Sequence, residues 1–207
     1  MSSITDIKLN CKNATIVAAT KYVGSEKMIE LLDEGINNFG ENRVDPFLIK
    51  YEELRGYDIT WHFIGSLQTN KVKKIIDKIS YLHSLNSVKL ASYVNKYLST
   101  PLKCFLEINL TDSVTKTGIN PNDILSVLNE IKGMENVKVI GLMTMTEPLM
   151  TDEEKKEVFE RLNKIKLDLN NLGYTKITEL SMGMSDDYLL ALESGATFVR
   201  LGRILFK

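Results

Sequence analysis

Lys21 follows directly on the small and branched apolar run "ATIVAAT" (residues 14–20), a place where a long cation is costly to bury. Such a lysine either snorkels to solvent or presents its amine at the mouth of a site. Two later stretches carry the chemistry of an anion cradle. In "SMGMSDDYLLALESGA", Gly183 precedes Ser185, which is expected to open a helix with Asp186 and Asp187 turned outward from its first turn. In "TFVRLGR", Gly202 lets backbone approach a ligand closely beside Arg203. Ser185 alone reads as an ordinary helix cap, but two adjacent loops of the same character point to phosphate. An amine facing a phosphate cradle suits a phosphorylated carbonyl ligand. Only a neutral amine condenses with an aldehyde, and desolvation favours that form. Pyridoxal 5′-phosphate meets both demands; a sugar phosphate held by a Schiff-base aldolase meets them almost as well.

The elements that must bring these residues together are short apolar runs alternating with helical segments. Strands are expected at 15–20, 36–40, 60–65, 81–85, 102–110, 137–145, 176–182 and 197–202. Among the helices, 151–173 is the clearest: Thr151 and Glu154 make a capping box, Val158, Leu162, Ile165 and Leu169 form the apolar stripe, and Gly173 ends it. Eight such alternations imply a parallel sheet in a single α/β domain over residues 1–207. A (β/α)8 TIM-type barrel is expected, with a doubly wound open sheet as the alternative. The helix that usually closes the barrel is missing after the eighth strand, or supplied from elsewhere. Barrels build their sites at the C-terminal ends of the strands. There the sequence places Lys21, then Glu41, Asn42 and Arg43, then His62, Glu107, Asn109, Thr144, Ser181, Arg200 and Gly202. For Arg200 the purely structural alternative is an ion pair with Glu41 or Glu107.

The chain of 207 residues has a net charge of −1, with both signs mixed throughout, so nothing electrostatic argues for nucleic acid or a membrane surface. The start "MSSITDIKLNCKN" lacks an apolar core of the signal-peptide kind, and no run approaches a membrane span. A cytoplasmic protein is expected. Cys11 and Cys104 share no metal or redox spacing, and Cys104 reads as a buried, reduced thiol.

Seven motifs occur in order: "VAATKY", "FGENRV", "WHFIGSLQTNK", "KTGI", "GLMTM", "LSMGMSDDY" and "GATFVRLGR". Together they cover nearly the whole chain, and it closely resembles the pyridoxal phosphate homeostasis proteins, the YggS/PROSC family. The resemblance implies a barrel like the N-terminal domain of alanine racemase, with pyridoxal phosphate joined to Lys21 as a Schiff base. It places Asn42 beside the cofactor, His62 and Ile64 along the strand-three side, and Met143 near the ring. Ser181, Ser185 and the backbone of Gly202 and Arg203 would hold the phosphate, and Arg200 would face the pyridine nitrogen. An arginine there donates and does not accept, which favours an unprotonated nitrogen and a weak electron sink. Racemases of this fold take a second base, a tyrosine, from a further domain, and none is expected here; Tyr22 and Tyr188 adjoin the motifs without being placed opposite Lys21. The expected function is therefore intracellular buffering or delivery of the cofactor to apo-enzymes, by a monomer in preference to a dimer. The alternatives are an amino-acid racemase or lyase of the same fold, or a regulatory protein that senses the cofactor. Compared with the family, the segments before the first strand and after the last are short, which bears on barrel closure.

Overall fold

Eight parallel strands close into a barrel in a computed structural model whose described residues are 3–111 and 117–206. The strands are β1 (Thr15–Ala19), β2 (Asn38–Glu41), β3 (Thr60–Phe63), β4 (Tyr81–Leu85), β5 (Leu102–Glu107), β6 (Val137–Met143), β7 (Glu179–Met184) and β8 (Phe198–Leu201). Each pairs with its sequence neighbour, and β8 returns to β1 with Arg200 opposite Val17. That closure excludes the open sheet. All eight expected strands are present, but β2 is displaced to end at Glu41. β7 begins at Glu179 and runs on to Met184. The Lys116 of "KTGI" lies outside the described residues.

The helices are α1 (Ile4–Asn10), α2 (Ser25–Asp33), α3 (Val44–Glu53), α4 (Val72–Ile75), α5 (Val88–Tyr97), α6 (Ile124–Ile131), α7 (Asp152–Asn171) and α8 (Tyr188–Glu193). α7 starts at the expected capping box, with both reciprocal bonds between Thr151 and Glu154 made, a device worth about 1 kcal/mol. Val158, Leu162 and Leu169 are buried beneath it, and Gly173 takes the left-handed conformation that stops it.

α1, which precedes the first strand, packs across the seam where β8 meets β1. Its Ser3–Asp6 capping box fixes the start, and Ile7 is fully buried. Lys8 Nζ donates to the Glu34 carbonyl just past α2 (2.7 Å), and Asn10 Nδ2 donates to the Tyr188 hydroxyl of α8 (3.3 Å). α1 thus bridges α8 and α2.

Apolar side chains pointing outward from the strands meet the helices in the main core. A second, smaller cluster of Val17, Phe105, Met143 and Phe198 lies inside the barrel, as strand alternation requires. The inward face is not wholly apolar. His62 and His83 are both fully buried there, among Tyr81, Phe105 and Phe198.

Candidate functional site

Lys21 lies two residues beyond β1, in a turn, and it is exposed. The burial expected of a strand-end lysine is therefore not what the structure provides; the strand ends early and the turn carries the side chain out. Its ammonium stands 4.7 Å from the ring centroid of Tyr22, which is itself exposed. Below this exposed surface the turn is firmly held. Glu41, at the end of β2, accepts from Thr20 Oγ1 (2.6 Å) and from Lys50 Nζ (2.5 Å), and Lys50 Nζ also donates to the carbonyl of Thr20 (2.7 Å). All three are buried, so the peptide that precedes Lys21 is pinned by an ion pair out of water. Lys50 continues the buried face of α3 after Val44 and Phe47. A lysine on an apolar stripe is the sequence signal for this anchor.

Ser185, Gly202 and Arg203 come together at the same end of the barrel. The Gly202 N–H donates to Ser185 Oγ (3.1 Å), which leaves the hydroxyl proton free to be donated onward. A Cβ on Gly202 would stand 3.5 Å from the Ala19 carbonyl, so this corner lies beside the strand that leads to Lys21. The helix does not open at Ser185. α8 begins at Tyr188, and residues 185–187 form a turn. Asp186 faces outward as expected and pairs with Arg203. Asp187 does not: it is buried, accepting from the Met184 N–H and from Thr146 Oγ1, 2.6 Å each. Gly183 serves the packing of this turn. At φ +88° a Cβ there would meet Ala191 Cβ at 2.5 Å, so only glycine lets α8 close on β7.

Arg200 is buried at the C-terminal end of the barrel interior. Nη1 donates to the Ser181 carbonyl (3.1 Å) and to Ser181 Oγ (2.8 Å), and Nη2 donates to the Thr144 carbonyl (2.9 Å). It is neutral oxygens, not Glu41 or Glu107, that hold it. Burial lowers its pKa to about 10, opposed by the fields of Asp187 and Glu107, so it stays cationic at neutral pH. Glu107 is also buried. Burial raises its pKa, against the Thr117 hydroxyl that donates to Oε1 (2.7 Å) and the field of Arg200. Its Oε2 has no partner among the described residues.

The other expected contacts fall into two groups. Asn42 and Ile64 are half-buried near the ends of β2 and β3. Gly65 brings these ends together, because a Cβ there would sit 2.2 Å from the Asn42 carbonyl oxygen. Ser181, His62 and Met143 lie deeper. Ser181 is fully buried with its oxygen committed to Arg200 and His83 (2.8 Å), and Met143 is in the interior apolar cluster. His62 bridges His83 and Asn38 (2.9 Å each) and stacks on Tyr81 with centroids 4.5 Å apart. Burial, then the charge of Lys103, lowers its pKa to about 3; burial, then His62 and Arg200, pushes His83 well below its ordinary value. Both rings are neutral at physiological pH. Sequence reasoning passed over His83, Thr20 and Lys50. His83 had a signal, since it stands two residues after Tyr81 in "YLHSL" and so shares its face.

A cavity of about 640 Å³ opens at the opposite, N-terminal end, lined among others by Lys12, Thr15, Tyr81, Lys103, Glu179 and Phe198. Interior side chains fill the barrel between the two ends. Among the described residues there is no His, Cys, Asp or Glu group able to hold a metal ion, and no helix is long and apolar enough to cross a membrane. Cys11 and Cys104 are buried and unpaired, and burial raises both thiols.

A closed barrel with its polar groups gathered at the strand C-termini defines the class. Residues 4–207 match the family model of the alanine racemase N-terminal domain. Alanine racemase of Clostridium difficile shares this fold, with a TM-score of 0.78 at 18% identity over 95% of this chain and 57% of that one. More specific relatives follow. A pyridoxal phosphate homeostasis protein of Aquifex aeolicus is 38% identical over 200 residues, 95% of this chain and 87% of the relative. One from Schizosaccharomyces pombe is 34% identical, covering 95% and 85%. PipY of Synechococcus elongatus, solved with pyridoxal phosphate bound, superposes with a TM-score of 0.88 at 31% identity, over 94% and 93% of the two chains. The chain belongs to the pyridoxal phosphate homeostasis protein family.

Proposed function

We propose that this protein binds pyridoxal 5′-phosphate across the C-terminal mouth of the barrel and holds it in reserve, buffering the cofactor or delivering it to apo-enzymes. Bound there, the cofactor supplies an aldehyde, with which an amine condenses with loss of water. Lys21 offers that amine on an exposed turn whose preceding peptide is fixed by Glu41 and Lys50. Ser185, with the backbone of Gly202 and Arg203, receives the phosphate: the Gly202 N–H donates to Ser185 Oγ and so turns the hydroxyl proton outward at this corner, beside β1. Asn42 and Ile64 line the opposite wall. Met143, His62 and Ser181 form the floor, and Ser181 reaches a ligand through Arg200.

The residues fit the group on one observation above all. Arg200 is a buried cation whose bonds to Ser181 and Thr144 use at most three of its five N–H groups, so donors remain for the ring. A permanent donor facing a ring nitrogen leaves that nitrogen unprotonated, which weakens electron withdrawal and suits storage better than carbanion chemistry. The tyrosine placements favour the same reading. Tyr188 is buried in the helix layer with its hydroxyl bonded to Asn10, and Tyr22 sits beside Lys21, not across from it. The proposal takes the protein as a cytoplasmic monomer.

Loaded protein mixed with a pyridoxal phosphate-dependent apo-enzyme tests this. Reactivation at least as fast as spontaneous cofactor release is expected. No reactivation, or sustained exchange of α-protons when loaded protein meets L-amino acids in deuterated water, would contradict the reading.

A further inference from the structure

Arg200, Ser181, His83, His62, Asn38 and Asn37 form a hydrogen-bonded chain through the barrel interior, and one assignment of donors and acceptors satisfies every link. Arginine has no acceptor, so Arg200 Nη1 must donate to Ser181 Oγ (2.8 Å). The serine has a single proton, and His83 Nδ1 lies 2.8 Å from its oxygen. If that proton goes to His83, Nδ1 is the acceptor and Nε2 carries the ring's hydrogen. His83 Nε2 then donates to His62 Nδ1 (2.9 Å), which leaves His62 Nε2 to donate to Asn38 Oδ1 (2.9 Å). The far end is consistent with this direction. The Asn38 amide nitrogen donates to Asn37 Oδ1 (3.0 Å), so Asn38 presents its oxygen, not its nitrogen, to His62. Five hydrogen bonds then run in one direction, from the C-terminal mouth at Arg200 through Asn38, the first residue of β2, to Asn37 just before it.

We infer that His62 and His83 are positioning residues for Arg200, locked as neutral Nε2–H tautomers, and that this chain fixes the plane in which the guanidinium meets a ligand. The surroundings leave the rings little alternative. His62 is clamped by stacking on Tyr81, and His83 stacks on Phe105 with centroids 4.4 Å apart. A buried histidine lacking either partner would leave a polar atom unsatisfied in the barrel core. The chain therefore acts as a ratchet: each ring can serve the next only in the tautomer set by its neighbour. Arg200 is held on one side by Ser181 and on the other by the Thr144 carbonyl, and its remaining donors are aimed rather than free. In its consequence for the cofactor, the inference rests on the pyridoxal phosphate reading above.

The test has one arm without cofactor and one with it. In ¹⁵N-labelled unloaded protein at neutral pH, long-range histidine spectra are expected to show both rings as neutral Nε2–H tautomers. The Arg200 Nη–H resonances are expected to be separately resolved because rotation is hindered. His83→Gln can accept from Ser181 and donate to His62, so it should preserve the resolved resonances. His83→Phe, and Ser181→Ala as a gentler break, should average them. With pyridoxal phosphate loaded, His83→Phe and Ser181→Ala should shift the visible absorbance maximum and speed release roughly five- to ten-fold, while His83→Gln stays near the parent protein. An Nδ1–H or charged ring in the parent protein overturns the inference. So does an unaltered Arg200 spectrum and absorbance in both breaking variants. If the parent protein fails to take up pyridoxal phosphate, the cofactor reading falls, while the unloaded spectra still judge the chain.

Discussion

The two ends of the site are built on opposite principles. At the β1 end the reactive group, Lys21, is exposed in a turn, and the order lies beneath it in the buried Glu41–Lys50–Thr20 contacts. At the β8 end Arg200 itself is buried and bonded on two sides, with a histidine chain behind it. The contrast follows from what each group would have to do. An amine that captures and releases an aldehyde needs freedom to approach and to exchange with water. A donor facing a ring nitrogen is useful only if its direction is fixed before the ligand arrives. The proposed phosphate corner mixes the two, with Ser185 half-buried and Arg203 exposed in an ion pair with Asp186.

Breaking the support on the β1 side should have the largest effect. Lys50→Met leaves the Glu41 carboxylate buried without its cation, a loss expected to cost about 3–5 kcal/mol in urea unfolding. Replacing both partners by apolar residues should cost markedly less, because no lone charge remains; equal costs would mean that the pair is not buried in solution. The β8 side can be probed by acid. His62 has an unfolded pKa near 6.5 and a folded one of about 3, and His83 is lowered in the same direction. Between those limits the unfolded chain binds protons that the folded one does not. Stability should therefore fall as pH drops from about 6.5 toward 3, by at most about 1.4 kcal/mol per pH unit for each ring. A flat stability profile across that window would show that the rings are not held neutral. The smallest effect is expected at the phosphate corner. Ser185→Ala should weaken cofactor retention by about 1 kcal/mol, read as faster release with an unchanged absorbance maximum.

The barrel was legible because strand-length apolar runs and capped helices alternate eight times, and the convergence of polar residues at the strand C-termini followed from that alternation. Thr151, Glu154 and Gly173 announced α7 because caps are local chemistry. The bridging of α8 and α2 by α1 was not legible, since a helix before the first strand carries no mark of what it packs against. At the site, the "SMGMSDD" stretch looked like a helix start, but Asp187 spends its carboxylate on Met184 and Thr146, and the helix waits until Tyr188. The inward turn of Asp187 and the partnership of Ser181 with His83 both join residues far apart in sequence. Only closure of the barrel brings Ser181 and His83 within 2.8 Å. Lys50 is the instructive case between these extremes. Its place on the buried face of α3 was visible, but its target, the peptide before Lys21, was not.

The central claim is that Lys21 captures the cofactor while Arg200 and the phosphate corner orient it. Borohydride reduction of protein incubated with pyridoxal phosphate, followed by peptide mass mapping, tests it most directly. The account predicts a single stable adduct on Lys21, absent in Lys21→Ala, with that variant still retaining pyridoxal phosphate non-covalently through Ser185, Gly202 and Arg200. An adduct on another lysine, or none at all, would contradict it.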